Sequence, residues 1–438
     1  MKFGLLIFLL AFIIRFINLF FLDLNPETYL VEDQIFYWEL SLKGAYLVWS
    51  DFPSIELTER MPGSFWFFEF LQWITNKNLF LILILQSIVD SLTCVIIYNC
   101  AGLINKKYQL YTGIFAVISP LMIIISSQIL SDTIFLFVFS CSLYCILKYS
   151  KSSSLYYLMI SGLMLGLSAF IRATAFPFIF LALPIIFFII QTKEYNSKRL
   201  VFSFFLFLIL SFLPISHRFL SNITYNNTFS LTSQSGSHSA HWMVPGVLSL
   251  SEKYTREEAI AYINHRVDKE GGLKGDPYKD SKKLFSISID ILSELSATDI
   301  VYSWARASFL NIITSAVLID MRVRKLQHFS FVDEGKIRAW FNKNYSNKES
   351  SKYLLIFFIS IFFSIFTAFS FIIGFSYFIK MTPMVAILAI FIILYFSLIT
   401  GPTLSPKYCV PFLPIIFYVQ SIFFNKLLNF IKKQLDEL

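Results

Sequence analysis

Apolar runs of about 18 to 22 residues recur throughout this chain of 438 residues. As an α-helix, each run is long enough to cross a hydrocarbon core of about 30 Å. Hydrophobic residues make up 56% of the chain and charged residues only 15%, whereas a soluble domain carries about 25% charged residues. The sequence therefore predicts an all-α polytopic membrane protein, and it excludes a soluble, disordered or disulfide-stapled chain.

We predict about ten transmembrane helices from hydropathy windows of about 19 residues. They lie near residues 3–22, 79–101, 110–127, 132–148, 155–171, 174–191, 200–219, 353–378, 383–400 and 408–427. Residues 301–319 are apolar enough to form an eleventh span, but Arg306 would cost about 2.5 to 3.5 kcal/mol in lipid. We favour an interfacial helix there. A crossing helix is the alternative, and it would reverse the side of every later segment.

Lysine and arginine residues assign the sides of the membrane, because short cytoplasmic loops retain them. Under the ten-span count they fall on one side, which makes both termini cytoplasmic; examples are Lys2, Lys106, Lys107, Lys148, Lys198, Arg199, Lys380, Lys432 and Lys433. The net charge of +8 fits such loops and does not indicate a nucleic-acid partner. We expect a plasma (inner) membrane protein whose catalytic face is periplasmic or otherwise extracytoplasmic.

The same count divides the chain into three parts. Residues 1–219 form an N-terminal transmembrane catalytic module of seven spans, whose first outer loop is 23–78. Residues 220–352 form an outer-face loop domain, and residues 353–438 a C-terminal transmembrane module of three spans. The loop domain is partly helical: Thr255 and Glu258 form a capping box ahead of one helix, and a second is predicted over 280–296.

Motifs of soluble enzymes do not occur in the sequence. It contains no Walker-type phosphate loop, no Gly-rich dinucleotide fingerprint and no HExxH motif. His238 and His241 stand three residues apart, a spacing that permits metal binding, but no third ligand is evident. We therefore predict no metal and no cofactor.

Ionisable residues stand at the ends of apolar runs on the predicted outer side. Glu32 and Asp33 follow the first run, Asp132 opens the fourth, and Arg172 separates the fifth from the sixth. Each has an ordinary explanation, since the acids could cap helices and the arginine could extend to the interface. Together they also suit a site in which a carboxylate acts while cations bind a phosphate. Further members of this set are Arg60, Lys407 and Tyr408.

Five motifs occur in an order that resembles the GT-C superfamily of membrane glycosyltransferases. They are Glu32-Asp33 with Tyr37, Arg60-Met61-Pro62, SDTIFLFVFSCSLY, GLMLGLSAFIRATAF and PKYCVPFLPIIFY. The chain is most similar to the branch of protein O-mannosyltransferases, the lipid A aminoarabinose transferase and the lipopolysaccharide-core glycosyltransferases. The resemblance covers most of residues 1–220 and 350–425, and it implies a GT-C-like fold. The loop domain of residues 220–352 resembles that of the family only in its general character.

The resemblance implies roles for individual residues. Asp33 matches the acid of the first outer loop that acts as catalytic base, with Glu32 beside it. Asp132 matches an acid that opens the fourth span, where many relatives have Glu, and Asp132 and Glu32 are predicted as further catalytic residues beside Asp33. Arg172 matches the arginine that ends the fifth span, and Lys407-Tyr408 a pair that is more often Arg-Tyr; a lysine cannot form the bidentate fork of an arginine to phosphate. The resemblance assigns donor-phosphate binding to Arg172, Lys407, Tyr408 and Arg60.

The implied reaction moves a sugar from a polyprenyl phosphate to a glycan, lipid or protein acceptor. The donor's lipid tail lies among the membrane lipids, which would explain why no nucleotide motif occurs. A base near the acceptor hydroxyl assists a single displacement with inversion, while cations stabilise the departing lipid phosphate. This scheme requires no metal.

Two other classes of protein would share these features. A transporter or flippase of lipid-linked saccharide would also have about ten spans, but it typically has paired repeats and broken helices near the midplane. A surface-polysaccharide polymerase or ligase would also have a large outer loop, and would depend on loop arginines. Substitution of Asp33 separates the three classes.

Overall fold

The protein is described by a computed structural model that covers residues 2–42, 58–194, 196–251, 254–329 and 337–437. Over these residues the chain is helical and has no β-strand, which confirms the predicted fold class. Part of the predicted first outer loop, residues 43–57, lies outside the described residues.

The α-helices of the first half are α1 (Lys2–Leu19), α2 (Pro26–Tyr29), α3 (Asp33–Leu42), α4 (Pro62–Ile74), α5 (Leu79–Ile104), α6 (Gln109–Ile118), α7 (Pro120–Ser126), α8 (Asp132–Ser152), α9 (Leu155–Ile171), α10 (Phe176–Gln191) and α11 (Ser197–Asn226). Those of the second half are α12 (Gln234–His238), α13 (Val244–Ser251), α14 (Arg256–Lys269), α15 (Pro277–Glu294), α16 (Ala297–Ile313), α17 (Met321–Arg324), α18 (Ile337–Ser346), α19 (Ser351–Met381), α20 (Pro383–Thr400) and α21 (Leu413–Asp436). A π-helical turn, Ser239–Met243, joins α12 to α13, and a 3₁₀ helix, Pro406–Phe412, leads into α21.

Eight helical segments are long and apolar enough to cross a membrane. They contain α1, α5, α8, α10, α11, α19, α20 and α21. Helices α6 and α7 meet at a bend of 50° and together make a ninth candidate, and α9 is apolar but only 17 residues long. Within the described residues, nine of the ten predicted spans therefore coincide with a single helix, and the span predicted at 110–127 coincides with the bent pair α6 and α7.

The helix predicted over residues 301–319 has different bounds. Helix α16 begins earlier, at Ala297, and ends at Ile313, because Thr314 and Ser315 adopt extended backbone conformations. A 3₁₀ helix, Ala316–Ile319, follows. Helix α16 has 17 residues and is not among the candidate spans found in the described residues, and whether it crosses the membrane stays a prediction.

A buried ion pair, which the sequence analysis did not predict, joins the first two long helices. Arg15 of α1 and Asp90 of α5 are both fully buried, and the Arg15 guanidinium donates to the Asp90 carboxylate. The remaining Arg15 N–H groups reach the carbonyls of Val117 at 3.0 Å and Ala116 at 3.3 Å, in the last turn of α6. Proline has no N–H, so Pro120 cannot bond to the Ala116 carbonyl four residues earlier. Arg15 therefore satisfies polar backbone groups that the α6–α7 bend exposes.

Glycine allows α9 and α11 to pack closely. A Cβ atom on Gly166 would lie 2.3 Å from the carbonyl oxygen of Ser211, and one on Gly162 would lie 2.7 Å from that of Phe207. Any larger residue would push the helices apart. This contact fixes the helix at whose end Arg172 stands.

The insert region, residues 227–347, connects α11 to α19 and contains a hydrophobic core of its own. The predicted capping box is confirmed: Thr255 Oγ1 accepts from the Glu258 amide at 3.2 Å, and the Thr255 amide donates to Glu258 at 2.7 Å. The second predicted helix begins earlier, at Pro277, because Asp276 caps it. The core is formed by α13, α14, α15 and the π-helical turn through Ala240, Val244, Val247, Leu248, Ala259, Ile263, Val267, Ile287, Ile291 and Leu292.

Candidate active site

An acid and a base from consecutive helices form the centre of the candidate site. Asp132 is the first residue of α8, and Arg172 directly follows α9. Arg172 Nη1 donates to Asp132 Oδ1 at 2.5 Å. The Asp132 side chain is only 6% exposed and that of Arg172 28%. The carboxylate is thus buried behind a guanidinium that still reaches solvent.

The turn before Asp132 is held by side chains from three other segments. Two of the contacts are hydrogen bonds that glutamine side-chain amides make to the backbone, with lengths of 3.1 and 3.2 Å. The third comes from Tyr29, whose pKa is raised by burial, so its hydroxyl keeps the proton that it donates. These contacts fix where α8 begins; they join Tyr29 to Ser127, Gln34 to Ile129 and Gln86 to Gln128.

A second acid and base form another pair. Asp33 is the first residue of α3, and its Oδ1 accepts from Arg60 Nη2 at 3.3 Å. The Asp33 side chain is 60% exposed, so this pair is open to solvent. A Cβ atom on Gly63, in the first turn of α4, would lie 2.7 Å from the Phe170 carbonyl oxygen. This close approach brings the segment that carries Arg60 to the end of α9, next to Arg172.

Tyr408 interacts with both Asp–Arg pairs. Its hydroxyl interacts electrostatically with Arg172, Asp132, Asp33 and Arg60. Five of the seven predicted site residues therefore lie in one neighbourhood, although they come from separate segments of the sequence.

Lys407 stands beside Tyr408 in the 3₁₀ helix Pro406–Phe412 and is half-buried. Among the described residues, no carboxylate lies within ion-pair distance of its ammonium group. Its charge is not neutralised within that part of the chain.

The insert region holds the turn that leads to Lys407 and Tyr408. The Asn311 side chain donates to the Thr403 carbonyl at 2.9 Å and accepts from the Ser405 amide at 2.7 Å. One amide side chain therefore binds both sides of the turn. Gly401 has a φ of +71°, and a Cβ atom there would lie 2.7 Å from a side-chain atom of Met243.

Part of the sequence matches a known family. Residues 59–217 match the model of the family described as dolichyl-phosphate-mannose-protein mannosyltransferase. This match spans 159 of the 438 residues, and over that part the chain is similar to this family. The matched residues include Arg60, Asp132 and Arg172. A comparison with curated proteins gives no match.

Two solved structures are similar to this protein, each with 13% sequence identity. Both are crystal structures of ArnT from Cupriavidus metallidurans. The apo structure aligns with a TM-score of 0.36, over 90% of this chain and 72% of that chain. The structure bound to undecaprenyl phosphate aligns with a TM-score of 0.42, over 96% of this chain and 76% of that chain.

Glu32 faces a different neighbourhood from Asp33. Its φ of +52° is in the left-handed region, and its carboxylate accepts from Arg324 Nη2 at 3.2 Å. Lys325 Nζ lies 3.4 Å from the Thr28 carbonyl oxygen. The end of the insert region thus contacts the segment before α3 at two points.

Arg324, Asn311 and His238 are contact residues of the site that the sequence analysis did not include. Arg324 lies 292 residues from Glu32, and Asn311 lies 92 residues from Thr403, so no local pattern relates them. His238 was considered only as a metal ligand. Among the described residues, no group of three His, Cys, Asp or Glu side chains could hold a metal ion.

Proposed function

We propose that the protein transfers a sugar from a polyprenyl phosphate to an acceptor hydroxyl, on the extracytoplasmic side of the plasma membrane, by an inverting single displacement. The observation that carries this proposal is the cluster of two Asp–Arg pairs around Tyr408, beside the unneutralised Lys407. The description of the matched family, which names a dolichyl-phosphate sugar, supports a donor of this chemical class.

Arg172, Lys407, Tyr408 and Arg60 are proposed to bind the donor phosphate. A guanidinium has five N–H donors in a planar fork, and Asp132 engages one nitrogen of Arg172. The other donors remain available for phosphate oxygens, and Lys407 adds a point charge. In this scheme Asp132 positions Arg172 and balances its charge when the phosphate is absent.

Asp33 is proposed as the catalytic base. The acceptor oxygen forms a bond to the anomeric carbon, and the bond from that carbon to the phosphate oxygen breaks. The electron pair leaves with the lipid phosphate, where the cations stabilise it. The acceptor proton passes to the Asp33 carboxylate and then to water. Arg60, which now contacts Asp33, would move toward the phosphate when the donor binds, and this movement would free the carboxylate.

The proposal is tested with purified protein in lipid vesicles, labelled polyprenyl-phosphate sugars and a panel of hydroxyl acceptors. We expect transfer from the lipid-phosphate donor and none from the corresponding nucleotide sugars. Turnover of a nucleotide sugar would refute the proposed donor class. Movement of the lipid-linked sugar across the vesicle membrane without transfer would instead identify a flippase. Mass spectrometry of surface glycolipids and glycoproteins, with and without the protein, would identify the product.

A further inference from the structure

His238 joins the insert region to the turn that carries the candidate phosphate-binding residues. It ends α12, and its Nε2 lies 3.3 Å from the carbonyl oxygen of Thr400, the last residue of α20. A carbonyl oxygen only accepts hydrogen bonds, so Nε2 carries the proton and donates it. In a neutral imidazole the other ring nitrogen is then an acceptor. Nδ1 of His238 therefore presents a lone pair.

The position of the His238 ring is fixed by its own helix. A Cβ atom on Gly236 would lie 2.3 Å from the Ser281 carbonyl oxygen, and the Gly236 amide donates to Ser281 Oγ at 3.0 Å. Helix α12 is thus held tightly against α15. The π-helical turn Ser239–Met243 follows immediately, and such turns occur frequently at functional sites.

The surroundings of His238 connect it to the candidate site. It interacts electrostatically with Arg60, the partner of Asp33. Burial lowers its pKa below the ordinary value of 6.5, so the ring is neutral at physiological pH. Among the described residues, no donor lies within hydrogen-bond distance of Nδ1. A half-buried acceptor on a ring that interacts with Arg60 is suited to bind a hydroxyl group.

We propose that Nδ1 of His238 accepts a hydrogen bond from a hydroxyl group of a carbohydrate substrate, either the sugar of the donor or the acceptor. This inference rests on the proposed function, because it requires a hydroxyl-bearing substrate at the Asp33–Arg60 pair. It assigns to the insert region a direct part in substrate recognition, in addition to its contacts with the 400–405 turn.

The two ring nitrogens can be tested separately. In His238→Gln the side-chain amide reaches the position of Nε2 and can still donate to Thr400, but nothing replaces Nδ1. In His238→Asn the amide oxygen can occupy the position of Nδ1, but the contact with Thr400 is lost. His241→Asn is a matched control, because Asn preserves the 2.9 Å bond that His241 Nδ1 makes to the Ser237 carbonyl.

We expect His238→Gln to unfold at the parental temperature and to lose about tenfold in kcat/KM, the effect of one hydrogen bond. His238→Asn should unfold at a lower temperature and retain more of the parental kcat/KM than His238→Gln. His241→Asn should match the parent in both measurements. A rise confined to the KM of the donor identifies the hydroxyl as that of the transferred sugar, and a rise confined to the acceptor's KM places it on the acceptor.

Parental kcat/KM and parental KM values in His238→Gln would overturn the inference, and His238 would then serve only to hold Thr400. Equal losses of activity and thermal stability in both variants would overturn it as well. Failure of the proposed function is distinguishable, because the unaltered protein would then give no transfer from any lipid-phosphate sugar.

Discussion

Asp132 and Arg172 lie 40 residues apart in the sequence, yet Arg172 Nη1 is 2.5 Å from Asp132 Oδ1. The pair connects the first residue of α8 to the residue that ends α9. Because the carboxylate is buried and the guanidinium is partly exposed, the aspartate acts through the arginine. This relationship favours a positioning role for Asp132 and a substrate-binding role for Arg172.

Asp33→Asn should reduce turnover by about 10² to 10⁴, the usual contribution of a general base. Asn is similar in size and can still accept a hydrogen bond from Arg60, so the variant should unfold at the parental temperature. Glu27→Gln is a matched control, because Glu27 is an exposed acid of α2, the helix that precedes α3. Turnover of Asp33→Asn within about threefold of the parent would leave Asp33 as a helix-capping residue only.

Arg172→Ala should raise the KM for the donor by about 10- to 150-fold, since a hydrogen bond to a charged group contributes about 1.5 to 3 kcal/mol. Arg172→Lys should restore part of the loss if charge matters more than fork geometry. Arg199→Ala is the control, because Arg199 is exposed near the start of α11 and belongs to no ion pair among the described residues. An unchanged donor KM in Arg172→Ala would remove this residue from the phosphate site.

Asp132→Asn should also raise the donor KM, because Arg172 loses the charge that positions it. Combining Asp132→Asn with Arg172→Ala should cost no more than Arg172→Ala alone, since both changes act on one interaction. Steady-state kinetics of the two single variants and the double variant give this comparison. Fully additive losses would mean that Asp132 acts directly on the substrate, as the resemblance to the GT-C superfamily first implied.

Glu32→Gln should change turnover much less than Asp33→Asn. Glu32 and Arg324 have side chains that are 64% and 49% exposed, and such pairs contribute about 0 to 1 kcal/mol to stability. A double-mutant cycle with Arg324→Gln, monitored by thermal unfolding, should give a coupling energy in that range. A loss of turnover as large as that of Asp33→Asn would make Glu32 a catalytic residue.

Asp90→Ala should lower the free energy of unfolding by about 3 to 5 kcal/mol, because it leaves the fully buried Arg15 without its counter-charge. The double variant Arg15→Met with Asp90→Leu should recover much of that loss, because it buries no unpaired charge. Unfolding in detergent micelles measures both. Equal stability of Asp90→Ala and the parent would contradict a structural role for the pair.

The charge pattern predicts that only the insert region is outside the cell among four test positions. Single cysteines at Lys106, Asn196, Lys279 and Asp436 should react with a membrane-impermeant reagent only at position 279, where the side chain is 84% exposed. Labelling at position 436 as well would mean that α16 crosses the membrane, and the shared site of Lys407 with Asp33 would no longer be tenable.

Hydropathy predicted the helices well because lipid imposes one length and one composition on every span. It missed Arg15 and Asp90 because a window that averages about 19 residues tolerates one charge. The end of α16 was also missed, since Thr314 and Ser315 are polar residues that can adopt either conformation. Within the described part of the chain, the residue at which a helix ends depends on contacts with other segments, and a hydropathy window does not contain those segments.

The candidate site was predictable where its residues mark the ends of spans. Asp132 and Arg172 could be recognised because the boundary of an apolar run is visible in the sequence. Their mutual contact was not predicted, because helix ends can face in several directions. The contacts of Asn311 and Arg324 depend on how the insert region folds, and neither residue belongs to a motif.

The two hydrogen bonds of Asn311 have a consequence for the order in which the candidate site is assembled during synthesis. Asn311 is synthesised 92 residues before Thr403, so the side chain that binds the 400–405 turn is present before the turn itself. Tyr408, which interacts with both Asp–Arg pairs, follows that turn and is therefore synthesised later still. A nascent chain that stalls before Pro406 therefore contains both acid–base pairs but not the residue between them.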